Sequence, residues 1–186
     1  MSLLEDDMVS TTFNNLNPAK KAKISQALLT EFSSHPLPDS QVSRIIKTAG
    51  IARGAFYKYF DDLQDAYRYT YQRAIKYIHS GPVDETSEML TAEQYLKQVT
   101  DFVEAVDDSQ YCGLLKMHIT KNENLLRNWN EDNQQAESLM NQEPLIWANA
   151  VLAHETIKLV LLNPSEKKSL LDRYFQAIQK LTKKEL

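Results

Sequence analysis

Apolar positions recur every three to four residues along most of this chain, which is the signature of amphipathic helices. Ile24, Ala27, Leu28 and Phe32 predict a helix that opens at Pro18 and stops at His35-Pro36-Leu37-Pro38. Ser40 is the expected N-cap of the next helix, with Asp39 adding negative charge at its start and Val42, Ile45, Ile46 and Ala49 forming its apolar face. Gly50 fits the left-handed position that ends a helix. A short helix from about Ala52 to Tyr59 follows, then a longer one capped by Asp61 or Asp62 and running to about His79, closed by Ser80-Gly81-Pro82.

Downstream, Tyr95, Leu96, Val99, Phe102, Val103 and Val106 mark a helix over Thr91 to Val106. Further helices are expected over Gln110 to Thr120, Glu123 to Met140 and Pro144 to Leu162. The last of these is apolar nearly all round and is expected to be buried on several sides. Asn163-Pro164 breaks it, and Ser165 is the expected cap of a final helix bearing Leu170, Leu171, Tyr174, Phe175, Ile178 and Leu181. Residues 1–17 have no clear period and read as a flexible lead-in.

Only 4 glycines and 6 prolines occur in 186 residues, too few for the many turns of an all-β fold, so the chain is expected to be all-α. The acidic N-terminus does not read as a signal peptide, and Val151 to Leu162, carrying His154, Glu155 and Lys158, reads as too short and too polar to span a membrane. One cysteine, Cys112, excludes an internal disulfide and fits a small buried hydrophobe in a cytoplasmic protein. His118 and His154 lack a ligand pattern, so no metal or cofactor is expected, and no nucleophile–base set or phosphate loop points to an enzyme. Tyr67, Tyr69, Tyr71 and Tyr77 read as packing aromatics.

Charge changes the picture. The net charge of −4 conceals an asymmetry: residues 18–79 hold ten Lys/Arg against five Asp/Glu, whereas 80–186 hold eleven against seventeen. The basic portion contains Ala49-Gly50-Ile51, a hinge between two short helices, which is helix-turn-helix logic. Phe56 and Phe60, four apart, should face inward. Arg53, Gly54, Ala55, Tyr57, Lys58 and Tyr59 are then left for DNA or its edges, with Gln41 and Arg44 at the groove rim and Ser40 and Ala52 at the two helix starts. Arg53 suits a bidentate contact to guanine, and Tyr57 and Lys58 suit phosphate oxygens.

From about Ile24 to Tyr71 the chain resembles the tetracycline-repressor (TetR) family of bacterial transcription regulators. The resemblance rests on the Ile24…Ala27-Leu28…Phe32 helix, Ser40-x-Val42-x-x-Ile45, Ala49-Gly50-Ile51 and Tyr57-Lys58-Tyr59-Phe60. It implies a DNA-binding domain over 18–79 and a helical effector-binding and dimerisation domain over 80–186. It further implies a ligand-responsive repressor that binds a palindromic operator as a homodimer through 144–162 and 165–181. Two positions depart from the family pattern: Ala52 stands where a capping Ser or Thr is common, and Leu63 where a phosphate-touching Lys is common. The missing cap costs about 0.5–2 kcal/mol if nothing replaces it. Candidate residues for a small-molecule effector pocket are Tyr95, Phe102, Tyr111, Met117, Trp129 and Trp147. The alternatives are a helical interaction scaffold with a weakened DNA-reading head and a small helical enzyme.

Overall fold

The computed structural model describes residues 9–78, 90–125 and 143–183. Among these residues every regular element is helical: α1 (Thr11–Asn14), α2 (Pro18–Ser34), α3 (Val42–Ala49), α4 (Arg53–Tyr59), α5 (Leu63–Ile78), α6 (Ala92–Asp107), α7 (Cys112–Met117), α8 (Pro144–Leu162) and α9 (Lys167–Thr182), with short 3-10 and π turns between some of them. Trp129, the 79–82 turn and most of the helix expected over 123–140 lie outside the described residues; Glu123–Leu125 is a 3-10 turn. The chain divides into two compact units, Met1–Ser80 with Gln110–Asn122, and Gly81–Ser109 with Glu123–Leu186. Residues 110–122 thus pack with the N-terminal helices.

The first unit is built around α2. Asn17 accepts the Ala19 N–H and caps it, and Pro18 sits in its first turn. Its apolar stripe, Ile24, Ala27, Leu28 and Phe32, is buried against α3, α5 and α7. Phe32 and Tyr67 meet edge to face at 5.1 Å, a contact worth about 0.5–1.5 kcal/mol beyond burial. α7 comes close to α2 because Gly113 has no side chain: a Cβ there would lie 3.1 Å from Ser33 Cβ. After α7 the backbone widens into a π turn, His118–Asn122, where the expected helix would have continued regularly. That turn carries Asn122 inward, where its Oδ1 accepts the Leu37 N–H at 2.9 Å. Tyr67, fully buried, pairs through its hydroxyl with His118 Nδ1 at 3.0 Å, and Tyr71 stacks on the same imidazole.

Residues 9–17 are not a loose lead-in. Ser10 caps α1 by accepting the Phe13 N–H, and Phe13 is completely buried against Tyr59, Phe60 and Tyr69. One turn of helix has no period to read, so its role rests on a single anchoring ring.

In the second unit α6 packs on α8 and α9. Thr91 and Gln94 close a reciprocal capping box at the start of α6. Tyr95 and Val99 from α6 meet Tyr174 and Ile178 from α9 in a core flanked by Leu152 and Ile157 of α8. Ser165 does not cap α9. Pro164 starts a 3-10 turn closed by the Glu166 N–H on Asn163 O, which delays α9 until Lys167.

α8 also departs from expectation. Only Thr156, Val160 and Leu161 are buried, while Ile146, Trp147, Val151 and Leu162 are exposed in the single chain. By length and composition alone this helix could cross a membrane, although the sequence from Val151 onward reads as too short and too polar to do so. His154, exposed on it, pairs with Glu123 at 2.8 Å.

Candidate nucleic-acid interface

The hinge between α3 and α4 is set by backbone chemistry. Gly50 adopts φ 65° and ψ 41°, the only positive φ among the described residues, and its N–H donates to Ile46 O, as does the N–H of Ile51. These two bonds satisfy the end of α3 and turn the chain sharply. Ala52 is extended and stands at the N-cap of α4 with no side-chain cap, as its methyl group requires. The N–H groups of Ala55 and Phe56 instead donate to Ala52 O, the ordinary first-turn bonds.

α4 has a sharp division of faces. Phe56, Tyr59 and Phe60 are buried. Ala52, Arg53, Gly54, Tyr57 and Lys58 are exposed, and Ala55 is partly so. Arg53 Nη2 donates to the Tyr57 hydroxyl at 3.2 Å and its guanidinium lies 5.5 Å from that ring, so the two side chains form one exposed surface. Gly54 has no packing reason to lack a side chain, since a Cβ there would meet nothing within 4 Å.

Two residues expected at the DNA face are buried, and a third is tied to a neighbouring carboxylate. Ser40 is buried and its hydroxyl donates to Pro36 O at 3.2 Å, so Gln41 rather than Ser40 stands at the N-cap of α3. Tyr59 is buried against Phe13, with the Lys20 ammonium 5.9 Å from its ring. Arg44 is committed to Glu31, with its Nη2 also donating to Asp39 O. Gln41 remains exposed, and its N–H donates to Glu31 Oε1 at 2.8 Å.

Two parts of this assembly went unread in the sequence. Glu31 is buried yet charged, and it gathers Arg44 and the start of α3 onto α2. Its signal was a single charge on the stripe of Ile24, Ala27 and Leu28, one position from Phe32. Ser10 donates its hydroxyl to Lys58 O at 2.6 Å and its N–H to Tyr59 O at 3.2 Å, holding the final carbonyls of α4. α5 begins with the aspartates, as expected: Asp62 accepts the Asp65 N–H at 2.8 Å, and Asp65 accepts the Asp61 N–H in return.

The five described candidates for an effector pocket are not gathered into one site. Tyr95 belongs to the core of the second unit, Phe102 is half-buried on α6, and Trp147 is 51% exposed on α8. Tyr111 and Met117 belong to the first unit. Aromatic and methionine side chains at helical spacing report core packing as readily as a cavity, which is why the sequence could not separate the two.

No family model matches the sequence, and no curated protein matches it. Among solved structures, the chain is similar to the crystal structure of a TetR family transcriptional regulator from Chloroflexus aurantiacus J-10-FL. The match covers 94% of this chain and 96% of that one at 18% identity, with a TM-score of 0.56. An identity that low speaks for the fold: over nearly its whole length, this chain has the all-helical architecture of a TetR family regulator.

Proposed function

We propose that this protein is a DNA-binding transcriptional regulator, a ligand-responsive repressor that binds a two-fold symmetric operator as a homodimer. The observation that carries the reading is the α3–Gly50–α4 hinge. It presents Arg53, Tyr57 and Lys58 outward from a helix anchored by Phe56 and Phe60, in the basic part of an otherwise acidic chain. The fold likeness agrees with it.

In this reading α4 enters the major groove. Arg53 reads a base edge, with Gly54 and Ala55 allowing close approach, while Tyr57, Lys58 and Gln41 contact the backbone. Arg44 acts indirectly by holding α3 to α2. The exposed apolar residues of α8, with Leu181 of α9, supply the dimer surface, so that two heads face successive grooves. The reading assigns no catalytic step and places the protein in the cytoplasm with the DNA it binds.

Selection of bound DNA from a random pool, using the full chain at low salt, tests the proposal. An enriched inverted repeat with half-sites about one helical turn apart is expected. Recovery of sequences no different from the input pool would overturn it.

A further inference from the structure

The first unit contains a half-open cleft of about 170 Å³ between α2, α5 and the segment that begins at Gln110. Its polar lining is rich in donors: Ser25 and Gln26 from α2, Tyr69 and Arg73 from α5, and Gln110 and Tyr111. One cation faces it, and no carboxylate lines it.

Arg73 is the unusual member. It is half-buried, yet no ion pair engages it among the described residues. A guanidinium drawn partly out of water is favoured by an anion within its reach. Here its Nη1 donates to the Tyr69 hydroxyl at 3.0 Å, and its Cζ lies 5.6 Å from the centroid of that ring. Arg73 has further N–H groups left for a ligand. Tyr69, while accepting from Arg73, also shares a hydrogen bond with Ser25 Oγ, 3.1 Å away, in which either hydroxyl can donate. With the tyrosine donating, Ser25 keeps its own proton for a ligand, and the chain of arginine, phenol and serine ends on no acceptor among the described residues.

From this geometry we infer that the cleft binds a small carboxylic acid, with its carboxylate on Arg73 and Ser25 and its short aliphatic part against Leu29 and Tyr111. A planar carboxylate matches the guanidinium fork in a way a point charge does not. The volume is below the roughly 300–1,000 Å³ typical of drug-sized ligands, so the acid has only a few carbons. Inorganic phosphate would leave the apolar wall unfilled.

The site also touches the reading head. The Tyr69 ring packs on Phe13 at 5.1 Å and on Phe60 at 5.7 Å, next to the segment in which Ser10 holds the end of α4. A carboxylate that draws Arg73 and Ser25 away from Tyr69 therefore acts on the support of α4. That consequence rests on the DNA-binding reading, whereas the binding itself does not.

Titration of the 15N-labelled full chain with butyrate, followed by NMR, tests the inference. Saturable shifts at the Ser25, Tyr69 and Arg73 amides are expected, with half-saturation at about 1 mM for so small a ligand. Butyramide and inorganic phosphate should each bind at least about tenfold more weakly, the discrimination that one lost charge-assisted contact produces. Arg73→Gln should abolish saturation and Ser25→Ala should weaken it; if Arg73→Gln loses the native spectrum, Ser25→Ala carries the test. Equal shifts with butyramide, equal binding of phosphate, or the same response in a folded variant would each overturn the carboxylate site. DNA affinity measured with and without butyrate then tests the coupling separately. A change supports it, and no change overturns the coupling while the binding result stands.

Discussion

Glu31 and Arg44 form a side-on pair: Arg44 Nε lies 3.0 and 2.9 Å from the two carboxylate oxygens, and its Nη2 lies 2.6 Å from Oε1. One acidic residue on α2 thereby fixes the position of α3, and with it the hinge that aims α4. Burial alone would raise the Glu31 carboxyl above its ordinary value. The hydrogen bonds from Arg44 and the Gln41 N–H, with the Arg44 and His35 charges, outweigh burial and hold it below.

A carboxyl lowered in the folded state contributes stability that is fully present above its unfolded pKa. That contribution is lost as pH falls through the lowered folded value. Glu31→Gln should therefore destabilise the protein at neutral pH by on the order of 1–3 kcal/mol. It should also flatten the loss of stability as pH falls below the ordinary carboxylate range. Urea denaturation over that fall in pH checks both, and a variant with the wild-type acid profile would assign the acid sensitivity to other groups.

Phe13→Ala removes a fully buried ring packed against Tyr59, Phe60 and Tyr69. The expected cost is about 3–5 kcal/mol, measured by chemical denaturation, the range for truncating a core aromatic. A near-neutral result would mean that residues 9–17 do not hold α4.

Gly50→Ala puts a Cβ on a residue at φ 65°. The left-handed conformation should cost about 1–2 kcal/mol in thermal or urea unfolding. The nearest group, Lys23 Nζ at 3.1 Å from that Cβ, is the far end of a flexible chain and can swing away, so crowding adds little. A loss several times larger would show that the hinge itself rearranges.

Arg53→Ala should weaken binding to the selected sequence by about 1–3 kcal/mol and binding to unrelated DNA by less. Lys58→Ala should weaken both alike and reduce the salt slope by about one. Fluorescence anisotropy over a salt series separates the two. Equal losses on both DNAs for Arg53→Ala would make it a backbone contact.

Trp147→Glu combined with Val151→Glu places charge on the exposed apolar face of α8. Light scattering is expected to find the native chain dimeric at micromolar concentration and the double variant monomeric. A native monomer would remove the proposed interface.

Much of this molecule was legible without a structure. The apolar stripe of α2, the glycine that ends α3 and the inward pair Phe56 and Phe60 are local features. A 3.6-residue period or a required positive φ can be read from a few neighbouring residues. The exposure of Arg53, Tyr57 and Lys58 follows from the same periodicity. The uncapped start of α4 was visible too, since a methyl group at Ala52 cannot cap a helix, and so was the capping of α5 by the aspartates before Leu63.

What only the tertiary structure decided lies in contacts between residues far apart in the chain. Periodicity says which face of a helix is apolar but not what covers it. Nothing local to Ser40, Tyr59 or Arg44 announces that the first turns inward, the second packs on Phe13 and the third is held by Glu31. Nothing local to α8 tells whether its apolar surface is buried within its own chain. The pairing of Tyr69 with Arg73 and Ser25 has the same origin, since 44 residues separate the serine from the tyrosine. The sequence by itself determined an all-helical chain with a helix-turn-helix head. Packing between distant helices, where hydrogen bonds and charges must find partners once water is removed, decided which of its side chains remain free to meet a ligand.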